Sequence, residues 1–291
     1  MFQPRLTFRV PETRIAYFPG HQRKALEQFR LIARNADFAL ELRDSRAPIS
    51  TVNPLISQNL PAIPKLVVYT KLENSILKPD FLEKLHPDND YRLVDSARTK
   101  YSSNILRELK EYSKNMFPPP PMGLRVLITG MPNVGKSTFI NNLRRKYLGP
   151  NAYRKVCKTG ENPGVTRAIS EQILISEEPR ITILDTPGLL IPHIDQTHVL
   201  TLGLVNAIPL SLFDPVLLAD YLLFKLNLLP GQNRYPGPPS NNIEEVLWNI
   251  ANAGRKKPSL KKWDIDTEAR QWLARFNAGK VAKLNLDKQF N

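Results

Sequence analysis

Six short apolar segments rich in Val, Ile and Leu recur along the first two thirds of the chain. They cover residues 38–43, 65–70, 91–96, 125–130, 172–176 and 180–185. Runs that are apolar on both faces are typical of strands in a largely parallel sheet covered by helices on each side. The pattern therefore predicts an α/β domain with a six-stranded, mostly parallel sheet, three strands lying before residue 116 and three after it.

The pattern changes beyond about residue 195, where longer segments predict helices. Residues 214–229, 243–254 and 266–279 have the spacing of amphipathic helices. We therefore predict two domains, an α/β domain over residues 1–195 and a smaller, all-helical domain over residues 196–291. Four consecutive prolines, Pro118 to Pro121, can neither continue a helix nor donate to a sheet, and they predict a stiff connector inside the first domain.

The charge balance indicates a polyanionic partner. The 291 residues contain 41 Lys and Arg against 27 Asp and Glu, a formal net charge of +14. The segment from Arg255 to Asn291 alone carries ten basic and four acidic residues. RNA fits this balance better than a small acidic substrate does, although a merely basic surface is the alternative. Trp263 and Trp272 lie in this segment, and we expect core positions for them rather than stacking on bases.

The amino terminus has two interpretations. Its first sixteen residues carry Arg5, Arg9 and Arg14 against Glu12 alone. This composition fits either an organelle import sequence or an RNA-facing arm.

Cysteine content and hydropathy limit the compartment. Cys157 is the single cysteine, which excludes an internal disulfide and favours a reducing compartment. The uncharged run of residues 199–213 is too short and too polar to cross a bilayer. We expect a monomer without a transmembrane segment. Peripheral contact with a membrane is compatible with this sequence.

A phosphate-binding loop follows the fourth predicted strand. The segment GMPNVGKS places Gly130, Gly135, Lys136 and Ser137 in the spacing G-x-x-x-x-G-K-S, directly before a helical segment. In such loops backbone N–H groups surround the phosphates, the lysine adds a charge at the β and γ oxygens, and the serine hydroxyl binds Mg²⁺. The nucleotide-binding residues predicted here are Asn133, Val134, Gly135, Lys136, Ser137 and Thr138.

Two further segments complete a nucleotide switch. The sequence ILDTPG puts Asp185 at a strand end, where it can hold Mg²⁺ through water, and Gly188 where its N–H can sense the γ-phosphate. Between the two motifs, the segment NPGVTR supplies Thr166 as the candidate switch threonine that completes the Mg²⁺ ligands.

The base-reading residues are predicted to precede the phosphate loop. A strand ends at Thr70, Lys71 and Glu73, and a later strand is followed by Ser96 and Ala97. A carboxylate at residue 73 would accept from the two guanine N–H donors and disfavour adenine, since an unpaired buried acceptor costs roughly 1–3 kcal/mol. The first hundred residues therefore carry base recognition.

This order of motifs resembles the circularly permuted GTPases. In these proteins the two base-reading motifs (G4 and G5) precede the phosphate loop (G1) and the two switch motifs (G2 and G3). More narrowly, the chain is similar to the family of the bacterial ribosome biogenesis GTPase A and its mitochondrial ribosome-associated counterpart. The matching stretches are YFPGHQRKA, LRDSRAPISTVNP, GMPNVGKST, NPGVTR, DTPGLL and RFNAGKVAKLNLD. Where that family has Asn-Lys-x-Asp, this chain has Thr70, Lys71, Leu72 and Glu73, which predicts guanine preference with weakened affinity.

The resemblance also implies how hydrolysis proceeds. Leu189 occupies the position of the water-orienting glutamine of Ras-like GTPases, and an aliphatic side chain cannot orient water. In this class the histidine of the Pro-Gly-His motif, here His21, is the proposed substitute, the alternative being that His21 fixes a loop or touches RNA. Asn133 is the position that helps to bind K⁺ in potassium-stimulated members, the alternative being an asparagine that stabilises the turn.

The resemblance thus predicts an assembly factor for the large ribosomal subunit that binds GTP or GDP, Mg²⁺ and K⁺. In its GTP state it would bind rRNA of the large subunit or its assembly intermediate, and hydrolysis, slow alone and stimulated by the particle, would release it. One rival is a nucleotide-binding RNA scaffold with little hydrolysis, and another is a metabolic P-loop kinase. We favour the mitochondrial matrix over a bacterial cytoplasm because of the altered base-reading motif and the Arg-bearing start.

Overall fold

The structure is a computed structural model that describes residues 2–10, 21–88, 90–95, 99–148, 172–192, 194–229, 234–253 and 263–287. For residues 21, 79, 99–102 and 146–148 it describes only the backbone. Within these ranges the predicted α/β pattern is confirmed, since six strands form one sheet and helices precede, separate and follow them.

The six strands lie close to the predicted apolar segments. Their bounds are β1 Phe38–Asp44, β2 Lys65–Thr70, β3 Tyr91–Leu93, β4 Leu124–Gly130, β5 Gln172–Ser176 and β6 Ile181–Asp185. They are ordered β3-β2-β1-β4-β6-β5 across the sheet. All neighbouring pairs are parallel except β5 and β6. The carboxyl ends of β1, β2, β4 and β6 therefore lie at one edge of the sheet, where ligands of open α/β sheets bind.

The α-helices within the described ranges are α1 His21–Ala33, α2 Pro54–Asn59, α3 Pro79–Leu85, α4 Thr99–Asn115, α5 Lys136–Leu148, α6 Gln196–Leu204, α7 Pro215–Asn227, α8 Ile243–Asn252 and α9 Ile265–Asn277. Several begin at a side-chain cap: Asn242 caps α8 and Asp264 caps α9, each accepting hydrogen bonds from amides of the first turn. None of the described helices is long and apolar enough to cross a membrane.

Helix α7 differs from its prediction. It was expected to be amphipathic, but most of its residues are buried, including Leu218, Leu222 and Leu223. The reason is tertiary: α7 contacts α6, α8 and α9, and Phe8 of the amino-terminal segment packs on Tyr221 and Phe224. A helix covered over most of its surface is mostly apolar, and Asp220 and Lys225 are the two charged residues of α7.

The largest hydrophobic core is continuous from the sheet to the C-terminal helices. It contains Leu40 and Ile128 of the central strands together with Leu222 of α7 and Phe276 of α9. Trp272 is 2% exposed in this core, so the expected core position is confirmed for it, and Trp263 packs against the core and Trp248. Burial in one shared core holds the C-terminal helices, which we call the helical region (residues 196–287), against the nucleotide-binding edge of the sheet.

Candidate functional site

The phosphate loop has the backbone conformation that its sequence predicts. Gly130 has φ +144, and a Cβ on it would lie 2.3 Å from the Leu42 carbonyl oxygen, so only glycine fits here. Lys136 at the start of α5 folds back over the loop and donates to the carbonyl oxygens of Gly130 and Met131, at 3.2 and 2.8 Å. Ser137 follows it in the first turn of α5, and Thr138 is exposed. These residues fit a phosphate group and its Mg²⁺.

The end of β6 lies beside this loop. Asp185 is the last residue of β6 and stands in register with Ile128 of β4, two residues before the loop. Gly188 packs on the loop so closely that a Cβ would lie 2.7 Å from the nitrogen of Pro132. The Thr186 hydroxyl donates to the Ile128 carbonyl at 2.8 Å. The predicted phosphate and switch residues are thus brought together.

Burial and neighbouring charges shift the pKa of the loop lysine. Desolvation lowers the pKa of Lys136 to about 8, and the carboxylate of Asp185 opposes this shift. A phosphate group would add negative charge beside Lys136 and so favour its protonated form.

The predicted base-reading loop meets the phosphate loop directly. Lys71, with φ 57, follows the last residue of β2, and its Nζ donates to the Asn133 carbonyl at 2.7 Å. Glu73 lies in the short 3₁₀ helix Leu72–Asn74 that comes next, and Glu73 is partly buried. Segments around residues 71 and 136, which are distant in sequence, therefore form one site.

Thr70 occupies a different role from that of a base contact. It is 2% exposed, and its hydroxyl lies 3.1 Å from the Arg43 carbonyl and also within hydrogen-bond distance of the Val134 carbonyl. The threonine hydroxyl thus joins the end of β2 to the backbone of the phosphate loop.

Asn133 stabilises the loop and joins it to the helical region. It has φ 56, and its side-chain Nδ2 donates to the Asn206 carbonyl at 2.8 Å, just beyond α6. These contacts support the turn-stabilising alternative, while the role of Asn133 toward K⁺ stays a prediction.

Helix α1 is attached to the segment after β6. The Leu190 amide donates to Oε1 of Gln22 at 3.0 Å, and Asn53 Nδ2 donates to the Leu189 carbonyl at 2.8 Å. Leu189 is 1% exposed and packs in a small core with Phe29 of α1. We call residues 188–190, which follow β6, the switch segment. The backbone of His21, the residue before Gln22, therefore lies next to this segment.

Several predicted residues lie outside the described part of the chain. These are Thr166, Ser96 and Ala97, together with the side chain of His21. Their predicted roles stay predictions.

A buried charge set at the carboxyl end of β1 was missed from the sequence. Asp44 and Arg46 are 0% exposed and form a two-pronged ion pair, with N···O distances of 3.0 and 2.8 Å. The second oxygen of Asp44 also accepts from Lys71 at 2.9 Å. We call Asp44, Arg46 and Lys71 the edge charge set. The available signal was the pattern Asp-x-Arg directly after a predicted strand, since acidic residues at that edge commonly serve a ligand site.

The two cations of the edge charge set stabilise the carboxylate between them, although Arg46 and Lys71 repel each other. Burial alone would raise the pKa of Asp44, but Arg46 and Lys71 together hold it well below its ordinary value. Desolvation lowers the pKa of Lys71, and Asp44 opposes that shift. Asp44 is therefore ionised throughout the physiological pH range.

The C-terminal segment packs beside these loops. The Leu286 amide donates to the Arg46 carbonyl at 2.7 Å, and the Leu284 amide donates to the Asn74 carbonyl at 3.2 Å. Asp287 accepts from the Ile49 and Ser50 amides at 2.6 and 3.0 Å. The segment 284–287 is thus tied to both the edge of β1 and the base-reading loop.

The amino-terminal segment packs on the helical region. Arg5 forms a two-pronged ion pair with Asp220 of α7, at 2.6 and 3.0 Å, and lies over the ring of Phe8. The Asn241 side chain donates to the Gln3 carbonyl at 2.9 Å. Arg5 therefore makes an internal contact. At this residue the structure does not support the interpretation of the amino-terminal segment as an RNA-facing arm.

Comparisons with known proteins show which proteins this chain is similar to. Residues 125–235 match the family model of the 50S ribosome-binding GTPase. A mitochondrial GTPase 1 of Saccharomyces cerevisiae is 37% identical over 293 residues, which cover 90% of this chain and 80% of the relative. A mitochondrial ribosome-associated GTPase 1 of Ictalurus punctatus is 31% identical over 310 residues, covering 97% and 96%.

A solved structure shares the fold. The crystal structure of GNP-bound YlqF from T. maritima has a TM-score of 0.60 and 19% identity, and the match covers 92% of this chain and 99% of that one. At this identity the likeness shows a shared fold alone.

Proposed function

Since the chain belongs to the mitochondrial GTPase 1 family, we propose that it is a GTPase that acts on the large ribosomal subunit of mitochondria during its assembly. In the GTP state it binds large-subunit rRNA, and hydrolysis releases it. Support comes from the names of its relatives, several of which are called mitochondrial ribosome-associated GTPase 1. The net charge of +14 suits an RNA partner.

The observation that carries the nucleotide part of the proposal is the meeting of two loops. Lys71 donates to the Asn133 carbonyl at 2.7 Å, so the 70–73 loop and residues 133–136 lie close enough to bind one nucleotide. The base of the nucleotide would lie against Lys71 and Glu73, with Ser96 and Ala97 beyond, and its phosphates against residues 133–138. Guanine is preferred because Glu73 accepts from both of its N–H donors. Equal displacement of bound GDP by ATP and GTP would contradict this preference.

The hydrolytic residues follow from the switch segment. Bound Mg²⁺ would neutralise phosphate charge and be held by Ser137, Thr166 and Asp185, with K⁺ beside Asn133. The amide of Gly188 would contact the γ-phosphate. His21 orients the attacking water, and Gln22 supports this role because it accepts from the Leu190 amide within the switch segment.

Cosedimentation with mitochondrial large-subunit particles tests the partner and the switch together. The protein should pellet with particles in a non-hydrolysable GTP analogue and much less in GDP or without nucleotide. Particles should raise GTP turnover, and His21→Ala should lose that stimulation while still pelleting. Pelleting that does not depend on nucleotide would contradict the proposed nucleotide switch. No pelleting at all would contradict the proposed ribosomal partner.

A scaffold without useful hydrolysis is the second candidate. It is favoured by Leu189, which is 1% exposed in a hydrophobic core and so cannot contact a water at the γ-phosphate. Nucleotide-dependent pelleting with turnover that particles leave unchanged would select this candidate.

A further inference from the structure

Arg46 lies between the nucleotide-binding edge of the sheet and the helical region. On one side its guanidinium donates to both oxygens of Asp44, as described above. On the other side it donates to Oδ1 of Asn277 at 3.2 Å and to the Val205 carbonyl at 3.4 Å, and it lies 5.4 Å from the centre of the Phe276 ring. The side chain is fully enclosed, so these contacts define its position.

The contacts of Arg46 continue into both nucleotide loops. Asp44, which Arg46 holds, accepts from Lys71, and Lys71 donates to the Asn133 carbonyl. The ammonium of Lys71 therefore ties the base-reading loop to the phosphate loop, and its position depends on that of Asp44. A continuous set of charged contacts thus runs from the end of α9 to the residues around the nucleotide.

We propose that Arg46 is a positioning residue that couples nucleotide binding to the seating of the helical region, because it holds Asp44 toward Lys71 while its other donors engage the ends of α6 and α9. The inference rests on the proposed function only in taking residues 70–73 and 133–138 as the nucleotide site. By reciprocity, a change at the end of α9 alters nucleotide affinity, and nucleotide stabilises the seating of α9.

The first test compares two arginines of β1 and its following loop. Arg46→Lys keeps the charge but loses the two-pronged geometry, and we expect the affinity for a fluorescent GDP to fall by about tenfold. Arg43→Lys is the matched control. Arg43 donates to the buried Glu41 at 2.7 Å, and its side chain also donates to the Tyr69 hydroxyl within β2 at 3.5 Å. We expect both variants to lose stability in urea unfolding and only Arg46→Lys to lose affinity.

The second test changes the helical side alone. Asn277 and Asn252 are the last residues of α9 and α8. The side-chain Nδ2 of each donates to the backbone carbonyl four residues earlier, at 3.2 and 2.9 Å. Only Asn277 also accepts from Arg46, and within the described residues Oδ1 of Asn252 has no partner. Asn277→Ala should therefore weaken GDP binding by about threefold, whereas Asn252→Ala should leave it unchanged at similar cost in stability.

A double-mutant cycle completes the test. If the path runs through Arg46, the affinity losses of Arg46→Lys and Asn277→Ala should not add. In hydrogen exchange, GDP should protect the amides of residues 274–279 in the unaltered protein and not in Arg46→Lys. Equal GDP affinities of Asn277→Ala and Asn252→Ala, or additive losses in the cycle, would overturn the proposal. If Arg46→Lys does not fold, the Asn277 and Asn252 pair decides alone.

These measurements use the isolated protein and nucleotide. Their failure would remove the coupling while leaving pelleting with ribosomal particles intact. The failure of pelleting would remove the ribosomal partner while leaving the coupling intact.

Discussion

Two buried charge sets of the same composition lie three residues apart on one strand. In the edge charge set, Asp44 accepts from Arg46 and Lys71. In the second, which we call the inner charge set, Glu41 accepts from Arg43 at 2.7 Å and from Lys65 at 3.0 Å. Each set thus has a carboxylate of β1, an arginine two residues later, and a lysine at one end of β2.

The two sets differ in what lies beyond them. From Arg43 the inner charge set continues to the hydroxyl of Tyr69 at 3.5 Å, and from there to His86 at 2.9 Å and Asp90 at 2.7 Å. These partners belong to β2 and the segment after α3, so the inner charge set stays within the α/β domain. The edge charge set instead reaches the phosphate loop and α9.

This difference shows that position, rather than composition, assigns a role to buried charges. A buried ion pair contributes little net stability because desolvation offsets its Coulomb energy. A set that only bridges strands therefore specifies packing, while the same groups at the carboxyl edge can also transmit a change in ligand to distant helices.

The largest effect is expected from removing the two carboxylates. Glu41→Gln and Asp44→Asn each leave a buried arginine and a partly buried lysine without their counter-charge, and each should lower the free energy of unfolding by about 3–5 kcal/mol. At temperatures where both variants stay folded, only Asp44→Asn should weaken GDP binding, by tenfold or more, since it releases Lys71. Urea unfolding and fluorescent GDP titration give the two values. Equal affinities in the two variants would remove the distinction between the sets.

A smaller effect is expected from the two lysines. Lys71→Ala removes a charged donor to the phosphate loop and should weaken GDP binding by about 1.5–3 kcal/mol. Lys65→Ala removes a side chain that is 26% exposed, and it should cost at most about 1 kcal/mol of stability with no change in affinity. Isothermal titration of both variants checks the pair, and a loss of affinity in Lys65→Ala would show that the inner charge set also acts on the site.

The smallest effect is a pH dependence of GDP binding that comes from Lys136, which belongs to neither charge set. Because the pKa of Lys136 is about 8 in the protein and phosphate favours its protonated form, GDP binding takes up a proton above that pH. The affinity should fall by at most about twofold between about pH 7 and about pH 8, and by at most about tenfold at about pH 9. In contrast, the pKa values of Asp44 and Glu41 are lowered, so their contribution to stability is present above their unfolded values and is lost only as the pH falls through the lower folded values. Titrations across this alkaline range check the prediction, and a constant affinity up to about pH 9 would contradict it.

Much of the fold was predictable because its signals are local. Strands β1, β2, β4, β5 and β6 agree with the apolar segments to within about one residue, and the phosphate loop follows β4 as its spacing indicates. The burial of α7 was not predictable in this way, because its outer face is covered by Phe8, more than two hundred residues away in sequence.

In the candidate site, too, the residues of local motifs were predictable and the contacts between distant segments were not. Lys136, Asp185 and Gly188 are brought together as their motifs predict, and Lys71 meets the phosphate loop. Thr70 was predicted as a base contact, yet its hydroxyl is directed to two backbone carbonyls, since the neighbouring strand and loop approach it from both sides. Gln22 and Asn53 were missed because each contacts the switch segment from a distant part of the chain.

The sequence by itself determined the strand pattern, the phosphate loop and the order of the nucleotide motifs, since each depends on residues within a few positions of one another. Only the tertiary structure decided which of the two Asp/Glu-x-Arg patterns that begin on β1 contacts both Lys71 and the helical region. The contact from Arg46 to Asn277 joins residues 231 positions apart. No local periodicity encodes such a pair, because it forms only when burial of the shared core brings α9 to the carboxyl edge of the sheet.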